Sequence, residues 1–228
     1  MKVLVFDLGG TLMEYVGMPN CWVSYYKQGF QNIARNIGYD ISQEALEKSI
    51  LIMKNFNPRV NYREQEYTPE YIFKKSLHHW NVSYSIQQVI TSFFEGIQLV
   101  PKIYNDSLLG LMELKRLGIM LAALTDLPTA MPDEYFKKSI SELLEYIDYY
   151  VSSQSCGYRK PNCSGLKRIA QHFHVPVNQL IFVGDEEKDR LTAENAQCHF
   201  IMIRRTGSKR AGAIKSVSDL LRNTEILE

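Results

Sequence analysis

Neither sign of charge dominates this sequence of 228 residues, in which 26 Lys and Arg stand against 25 Asp and Glu. That balance lacks the electrostatic footprint of a dedicated nucleic-acid binder, and the short basic stretch Arg204, Arg205, Lys209 and Arg210 reads as a solvated loop. Cysteine is scarce: Cys21, Cys156, Cys163 and Cys198 form no CxxC pair and no Cys/His spacing that suits zinc. A disulfide framework and a structural metal are both excluded, and free thiols in a reducing cytoplasm are expected. Long apolar runs are missing as well. The first one ends at Asp7, too short for a signal-peptide core, and no later run approaches the ~20 apolar residues of a membrane span, so no membrane partner is expected. No internal repeat and no low-complexity tract occurs, and nothing in the sequence bears on oligomeric state.

What is present is a core-forming composition, 45% hydrophobic, enough for one large domain or one domain carrying an insertion. Three short apolar runs each stop at a residue capable of chemistry: Val3 to Phe6 before Asp7, Ile119 to Leu124 before Thr125, and Leu180 to Val183 before Gly184-Asp185. Continuous hydrophobicity is what a strand buried on both faces of a parallel sheet requires. Helical patterns at Leu108 to Leu117, Ile140 to Tyr146 and Ser164 to Phe173, with a further strand at His199 to Ile203, predict a doubly wound, Rossmann-like α/β core. Ligands of such sheets sit outside the carboxyl ends of the strands, so Asp7, Thr125 and Asp185 are expected to converge.

The stretch from Tyr15 to Leu99 carries no buried-strand signal. Helical spacing at Trp22 to Ile37, Ser42 to Lys54, Pro69 to Trp80 and Ile86 to Phe94 predicts an inserted helical subdomain, 15–99, in a core of 1–14 and 100–228. The pairs His78-His79 and His172-x-His174 have no partner spacing that implies a metal and are assigned to helix surface or core. Gly207-Ser208-Lys209 lacks the preceding glycine of a P-loop.

The segment Phe6-Asp7-Leu8-Gly9-Gly10-Thr11-Leu12 resembles the first motif of the haloacid dehalogenase-like (HAD) hydrolase superfamily, in which a strand delivers an aspartate nucleophile. Thr125 resembles the second motif, Gly157 to Asn162 with Lys160 the third, and Gly184-Asp185 to Asp189 the acidic fourth. The insertion falls where the family has its helical cap, and Ile214 to Leu221 matches its closing strand and helix. The resemblance implies a magnesium-dependent phosphatase acting on a small phosphorylated metabolite through an aspartyl-phosphate.

The residue chemistry suits that implication. A carboxylate at Asp7 can attack phosphorus, and magnesium held by Asp7, Asp185 and the main-chain carbonyl of Gly9 would offset the repulsion between two anions. Lys160 is the point charge for the nucleophile and the phosphoryl oxygens, with Thr125 and the close backbone at Gly10 as further phosphate contacts. Asp189 is placed to orient Lys160 or a metal-bound water. Asp126 reads equally as a local turn acceptor or as part of the phosphate pocket. One departure stands out. The position two after the nucleophile, an acid/base aspartate in most phosphatases of the superfamily, is Gly9 here; Glu14 and Asp126 are candidate substitutes. The alternatives are a 2-haloacid dehalogenase, which needs no such proton, and an impaired relative that binds a phosphorylated ligand or a protein. Specificity is expected in the inserted segment, at residues such as Trp22, Tyr25, Tyr26, Lys27, Phe30 and Arg63.

Overall fold

A computed structural model describes residues 2–205 and 212–222. Along the chain come strands β1 (Val3–Phe6) and β2 (Met13–Tyr15), then helices α1 (Tyr26–Asn36), α2 (Gln43–Asn55), α3 (Pro69–Leu77) and α4 (Ile86–Ile97). Strand β3 (Pro101–Ile103), helix α5 (Asn105–Arg116), strand β4 (Met120–Thr125), and helices α6 (Asp133–Ser139) and α7 (Ser141–Leu144) follow. The last part holds β5 (Tyr149–Ser152), α8 (Ser153–Cys156), α9 (Ser164–His172), β6 (Leu180–Gly184), α10 (Glu187–Ala196) and β7 (His199–Met202).

Five strands form a parallel sheet in the order β5-β4-β1-β6-β7. Strand β1 is wholly buried, and its alternation feeds two cores. Leu4 and Phe6 join Leu111, Leu114, Val217 and Leu220 on one face; Val3 and Val5 join Leu166, Ile169, Ala193 and Ala196 on the other. Helices on both faces are what a run of β-branched and aliphatic residues without polar interruption demands. This is the doubly wound α/β architecture expected from the three apolar runs.

Helices α1 to α4 lie between β2 and β3, which pair antiparallel with Met13 opposite Ile103 and Tyr15 opposite Pro101. Their starts are marked by side-chain caps: Ser42, Thr68 and Ser85 accept from the N–H of Ala45, Tyr71 and Gln88. Buried positions Tyr26, Phe30, Ile33 and Ala34 stripe one face of α1. Phe30 stacks edge-on against Phe93 of α4, with ring centroids 5.3 Å apart. His79 lies against the Ala45 carbonyl, 2.9 Å away, and His172 stacks on Tyr149 at 3.8 Å. Both are packing roles, as expected.

The structure corrects several readings. Strand β5 and the β2–β3 pair carry no sequence signal used above. The helix expected over Ile140 to Tyr146 is the single turn α7, preceded by α6. The closing segment is a bridge between Ile203 and Ile214 followed by a 3-10 helix, Val217–Arg222. Arg205 is not a solvated loop residue. Its guanidinium binds Asp106 at 2.5 Å and the Thr11 carbonyl, and lies over the Tyr104 ring at 4.4 Å. Its partners Thr11 and Asp106 are remote in sequence, so a charge run read locally cannot reveal them. Lys209, Arg210 and Gly207-Ser208-Lys209 lie outside the described residues.

Candidate active site

The floor of the site follows from strand order. Because β1 sits between β4 and β6, the residues at or just past their carboxyl ends, Asp7, Thr125 and Asp185, come to one edge of the sheet. The Asp7 N–H donates to the Val183 carbonyl at 2.8 Å, which continues the ladder one residue past β1. Lys160, on the loop between α8 and α9, is 4% exposed and donates from Nζ to Asp7 Oδ1 at 2.5 Å and to Asp189 Oδ1 at 2.6 Å. Its own N–H donates to Asp126 Oδ1 at 3.0 Å. Asp189, fully buried in the first turn of α10, also accepts the Glu186 N–H through Oδ2 at 3.0 Å. A Cβ on Gly184 would come within 2.6 Å of the Asp189 side chain, so only glycine ends β6 compatibly with that packing.

The loop after Asp7 turns tightly. Gly10 has φ +81°, and a Cβ there would meet Asp185 Oδ2 at 2.3 Å, so glycine is required both by conformation and by the approach of Asp185. The Gly10 N–H is committed to the Met13 carbonyl at 2.8 Å, which removes that donor from the phosphate contacts expected of Gly10. Gly9 is different, with no positive φ and nothing within 4 Å of a Cβ built upon it. The bridge there is made by the Leu8 carbonyl and the Gly10 N–H, each bonded to Met13, and leaves the Gly9 carbonyl unused by it.

Burial and the carboxylates of Asp189 and Asp185 push Asp7 upward, against the pull of Lys160. Burial, Asp189 and Glu186 raise Asp185 to about 6. Burial opposes the charge on Lys160, but Asp189, Asp7 and Asp126 outweigh it and hold the ammonium well above its ordinary range. Burial likewise lifts Asp126, yet Lys188, Arg159 and Lys160 prevail and keep it ionised well below the carboxylate range. One ammonium thus serves a knot of acids.

Oxygens of Asp7, Asp185 and Asp189 lie within 4.8 Å of one another. Both oxygens of Asp189 are taken by Lys160 and Glu186. Asp7 and Asp185 use Oδ1 toward Lys160 and Thr11 respectively, and each retains Oδ2. An excess of hard oxygen donors over cations is the chemistry that could hold a divalent metal such as magnesium.

A cavity of 340 Å³ opens over this floor. Asp7, Gly9, Gly10, Thr125, Asp126 and Asp185 line it from the sheet edge, while Trp22, Tyr26, Asn57 and Arg59 come from the helical segment. Of the other positions expected to set specificity, Phe30 is buried among the helices, Lys27 is exposed, and Arg63 is bound to Glu66 at 2.7 Å. The sequence reading missed Arg59, which pairs with Glu186, and Lys188, which sits 3.3 Å from Asp126 and 3.2 Å from Glu186. It also missed Glu66, which binds Arg159 and accepts from Ser153 at 2.7 Å. Arg159 in turn donates to the Leu127 carbonyl at 2.8 Å. The signals for Arg159 and Lys188 were their places inside two of the motifs; Arg59 and Glu66 had none. Neither proposed substitute acid is free: Asp126 is as above, and Glu14 is bound to Lys102 at 3.0 Å and Tyr104 at 3.2 Å.

The sheet delivers an aspartate, a threonine and an acidic turn to one edge, where a buried lysine bonds both Asp7 and Asp189. Residues 1–197 match the model of the haloacid dehalogenase-like hydrolases, and the chain belongs to that family. A phosphoglycolate phosphatase of Vibrio cholerae serotype O1 is 23% identical over 208 residues, 87% of this chain and 82% of that protein. A HAD phosphatase from Thermococcus onnurineus superposes with a TM-score of 0.64 at 17% identity, covering 97% of both chains. A dehalogenase solved as an intermediate complex superposes with a TM-score of 0.58 at 16% identity over 97% of this chain and 96% of its own. At those identities the two structures speak for the fold. No helix among the described residues is long and apolar enough to cross a membrane.

Proposed function

We propose that this chain is a magnesium-dependent phosphatase that hydrolyses a small phosphate monoester through an aspartyl-phosphate on Asp7, with residues 15–99 as a cap over a core of 1–14 and 100–228. The observation that carries this reading is the buried chain Asp7–Lys160–Asp189 beside Asp185 on the floor of the cavity. The phosphatase named among the relatives supports a phosphorylated substrate.

Lys160 orients the Asp7 carboxylate through Oδ1, so that one of its oxygens attacks phosphorus while the other is left for the metal, and Asp189 fixes Lys160 in turn. The ammonium and the Thr125 hydroxyl receive charge that develops on the phosphoryl oxygens. Asp126, by accepting the Lys160 N–H, ties the loop after β4 to the loop that carries the lysine. Asp7, Asp185 and the Gly9 carbonyl would hold magnesium, which would supply the positive charge that lets a carboxylate approach a phosphate dianion. The cap shields the cavity from bulk water during transfer of the phosphoryl group to Asp7, and a water admitted afterwards hydrolyses the acyl phosphate.

Asp7→Asn removes the nucleophile with almost no change of shape. Phosphate release falls by at least about 10³-fold while circular dichroism stays that of the wild type; activity within a few-fold of wild type would overturn the aspartyl-phosphate. The metal has a readout that needs no turnover. At a hundred times its Kd, magnesium stabilises by about 2.7 kcal/mol, a rise in Tm of about 5–10 °C for a chain of this size, and Asp185→Ala abolishes it. The missing acid at Gly9 does not by itself choose between a phosphatase and a dehalogenase; full activity in excess chelator would count against the metal site and reopen the dehalogenase reading.

A further inference from the structure

The cavity has a second wall, and its chemistry differs from the floor. Tyr15, Trp22, Tyr26 and Tyr104 line it together with Met18. Tyr15 and Trp22 meet edge-on with centroids 5.4 Å apart. The phenol groups are already engaged: Tyr15 with Ser139 at 3.3 Å, Tyr26 with Asn57 at 2.9 Å, and Tyr104 with Glu14 at 3.2 Å. What these side chains offer a ligand is therefore ring surface more than hydrogen bonds.

The charges of the cavity point the same way. Its lining holds five acids, Asp7, Glu14, Asp126, Asp185 and Glu186, against three cations, Arg59, Arg159 and Lys188. Every one of those cations is matched to a carboxylate of the protein: Arg59 to Glu186, Arg159 to Glu66, and Lys188 to both Asp126 and Glu186. A second anion on the substrate would find no lining cation without a carboxylate partner and would have to compete with Glu186 for Arg59, in a lining where acids outnumber cations. At Gly9 there is no side chain to protonate the departing oxygen, and Asp126 is held ionised by Lys188, Arg159 and Lys160.

From these three observations we propose that the substrate is an aryl phosphate monoester with no second anionic group, its ring packed against Trp22 and Tyr15. The inference rests on the phosphatase reading and narrows its substrate. In the first step an Asp7 oxygen bonds to phosphorus, the phosphorus–oxygen bond to the ring breaks, and the electron pair leaves on a phenolate. A phenol, with a pKa near the ~10 of tyrosine, departs as its anion far more readily than an alkoxide and takes its proton from solvent afterwards. Water then cleaves the acyl phosphate, giving inorganic phosphate and the original carboxylate.

Non-hydrolysable phosphonates test the wall apart from the chemistry. Titration calorimetry with magnesium present compares benzylphosphonate, 3-phosphonopropionate and methylphosphonate on the wild-type protein and on Trp22→Ala. Benzylphosphonate is expected to bind about tenfold more tightly than either of the others, and Trp22→Ala to remove that advantage over methylphosphonate. Equal affinities, a preference for 3-phosphonopropionate, or an aromatic preference that survives in Trp22→Ala would overturn the proposal. Failure of all three phosphonates and of inorganic phosphate to bind would instead overturn the phosphatase reading beneath it.

Discussion

The floor and the roof of the cavity are built by different physics. On the floor, Asp7, Thr125 and Asp185 each lie at or within two residues of the end of a buried strand, and parallel register leaves them little choice of place. The charges of Asp7, Lys160 and Asp189 are satisfied by one another in near-complete burial: Asp7 is 5% exposed, Lys160 4% and Asp189 0%. The roof draws on separate segments, β2, the turn that precedes α1, α1 itself, the loop after α2 and the residue after β3. It is held by rings and by a polar seam, in which Gln65 bridges Tyr158 and the N–H groups of Glu66 and Arg159 donate to the carbonyls of Gly157 and Glu64. A floor of this kind preserves chemistry, whereas a roof of this kind is free to change what is bound.

The most severe way to break the contrast is Lys160→Met. It leaves Asp7 and Asp189 buried without their cation, and stripping one partner from a buried pair costs about 3–5 kcal/mol, or a fall in Tm of about 10 °C. Saturating magnesium should recover part of that fall, because it shares the task of neutralising Asp7. Thermal denaturation with and without the metal checks both; a Tm within 2 °C of the wild type in chelator would show that the floor is less desolvated than described.

Glu66→Gln loads the seam instead. Arg63 and the buried Arg159 both lose a counter-charge, while the amide keeps a hydrogen-bond acceptor, so the expected loss is about 1–3 kcal/mol. Arg159 bonds the Leu127 carbonyl, two residues past Thr125, and the seam therefore reaches the proposed phosphate contact. KM should rise more than kcat falls. An unchanged Tm would place Glu66 among surface ion pairs, whose worth is small.

The same contrast governs what the sequence discloses. Strands β1, β4 and β6 announce themselves because burial on both faces forces unbroken apolar runs, and the acids that follow them are adjacent in sequence to that signal. Strand β5 is a sheet edge, half-buried at Tyr149 and Tyr150, and an edge needs no such run. The three-residue strands β2 and β3 are too short to show a period. Arg59 meets Glu186 across 127 positions, and Glu66 meets Arg159 across 93; no local pattern encodes either. Trp22 and Tyr26 were within reach because aromatic residues in an insertion invite suspicion, but so does Phe30, and only its packing against Phe93 of α4 places it in the interior.

The gentlest test addresses the position where floor meets roof. Gly9 has no positive φ and open space where a Cβ would stand, so Gly9→Asp is expected to fold without strain and to place a carboxyl two residues beyond the nucleophile. A well-positioned acid contributes about 10²–10⁴-fold; a carboxyl introduced into a loop shaped around glycine should recover only part of that, and only where the leaving oxygen needs a proton. The expected result is a gain of about tenfold on alkyl phosphates with little change on aryl phosphates, seen as a flatter dependence of kcat/KM on leaving-group pKa with magnesium saturating. If the wild-type dependence is already flat, a group other than Asp126 and Glu14 delivers the proton. The preference for easily departing alcohols would then lie in the aromatic roof alone, with no contribution from the empty position at Gly9.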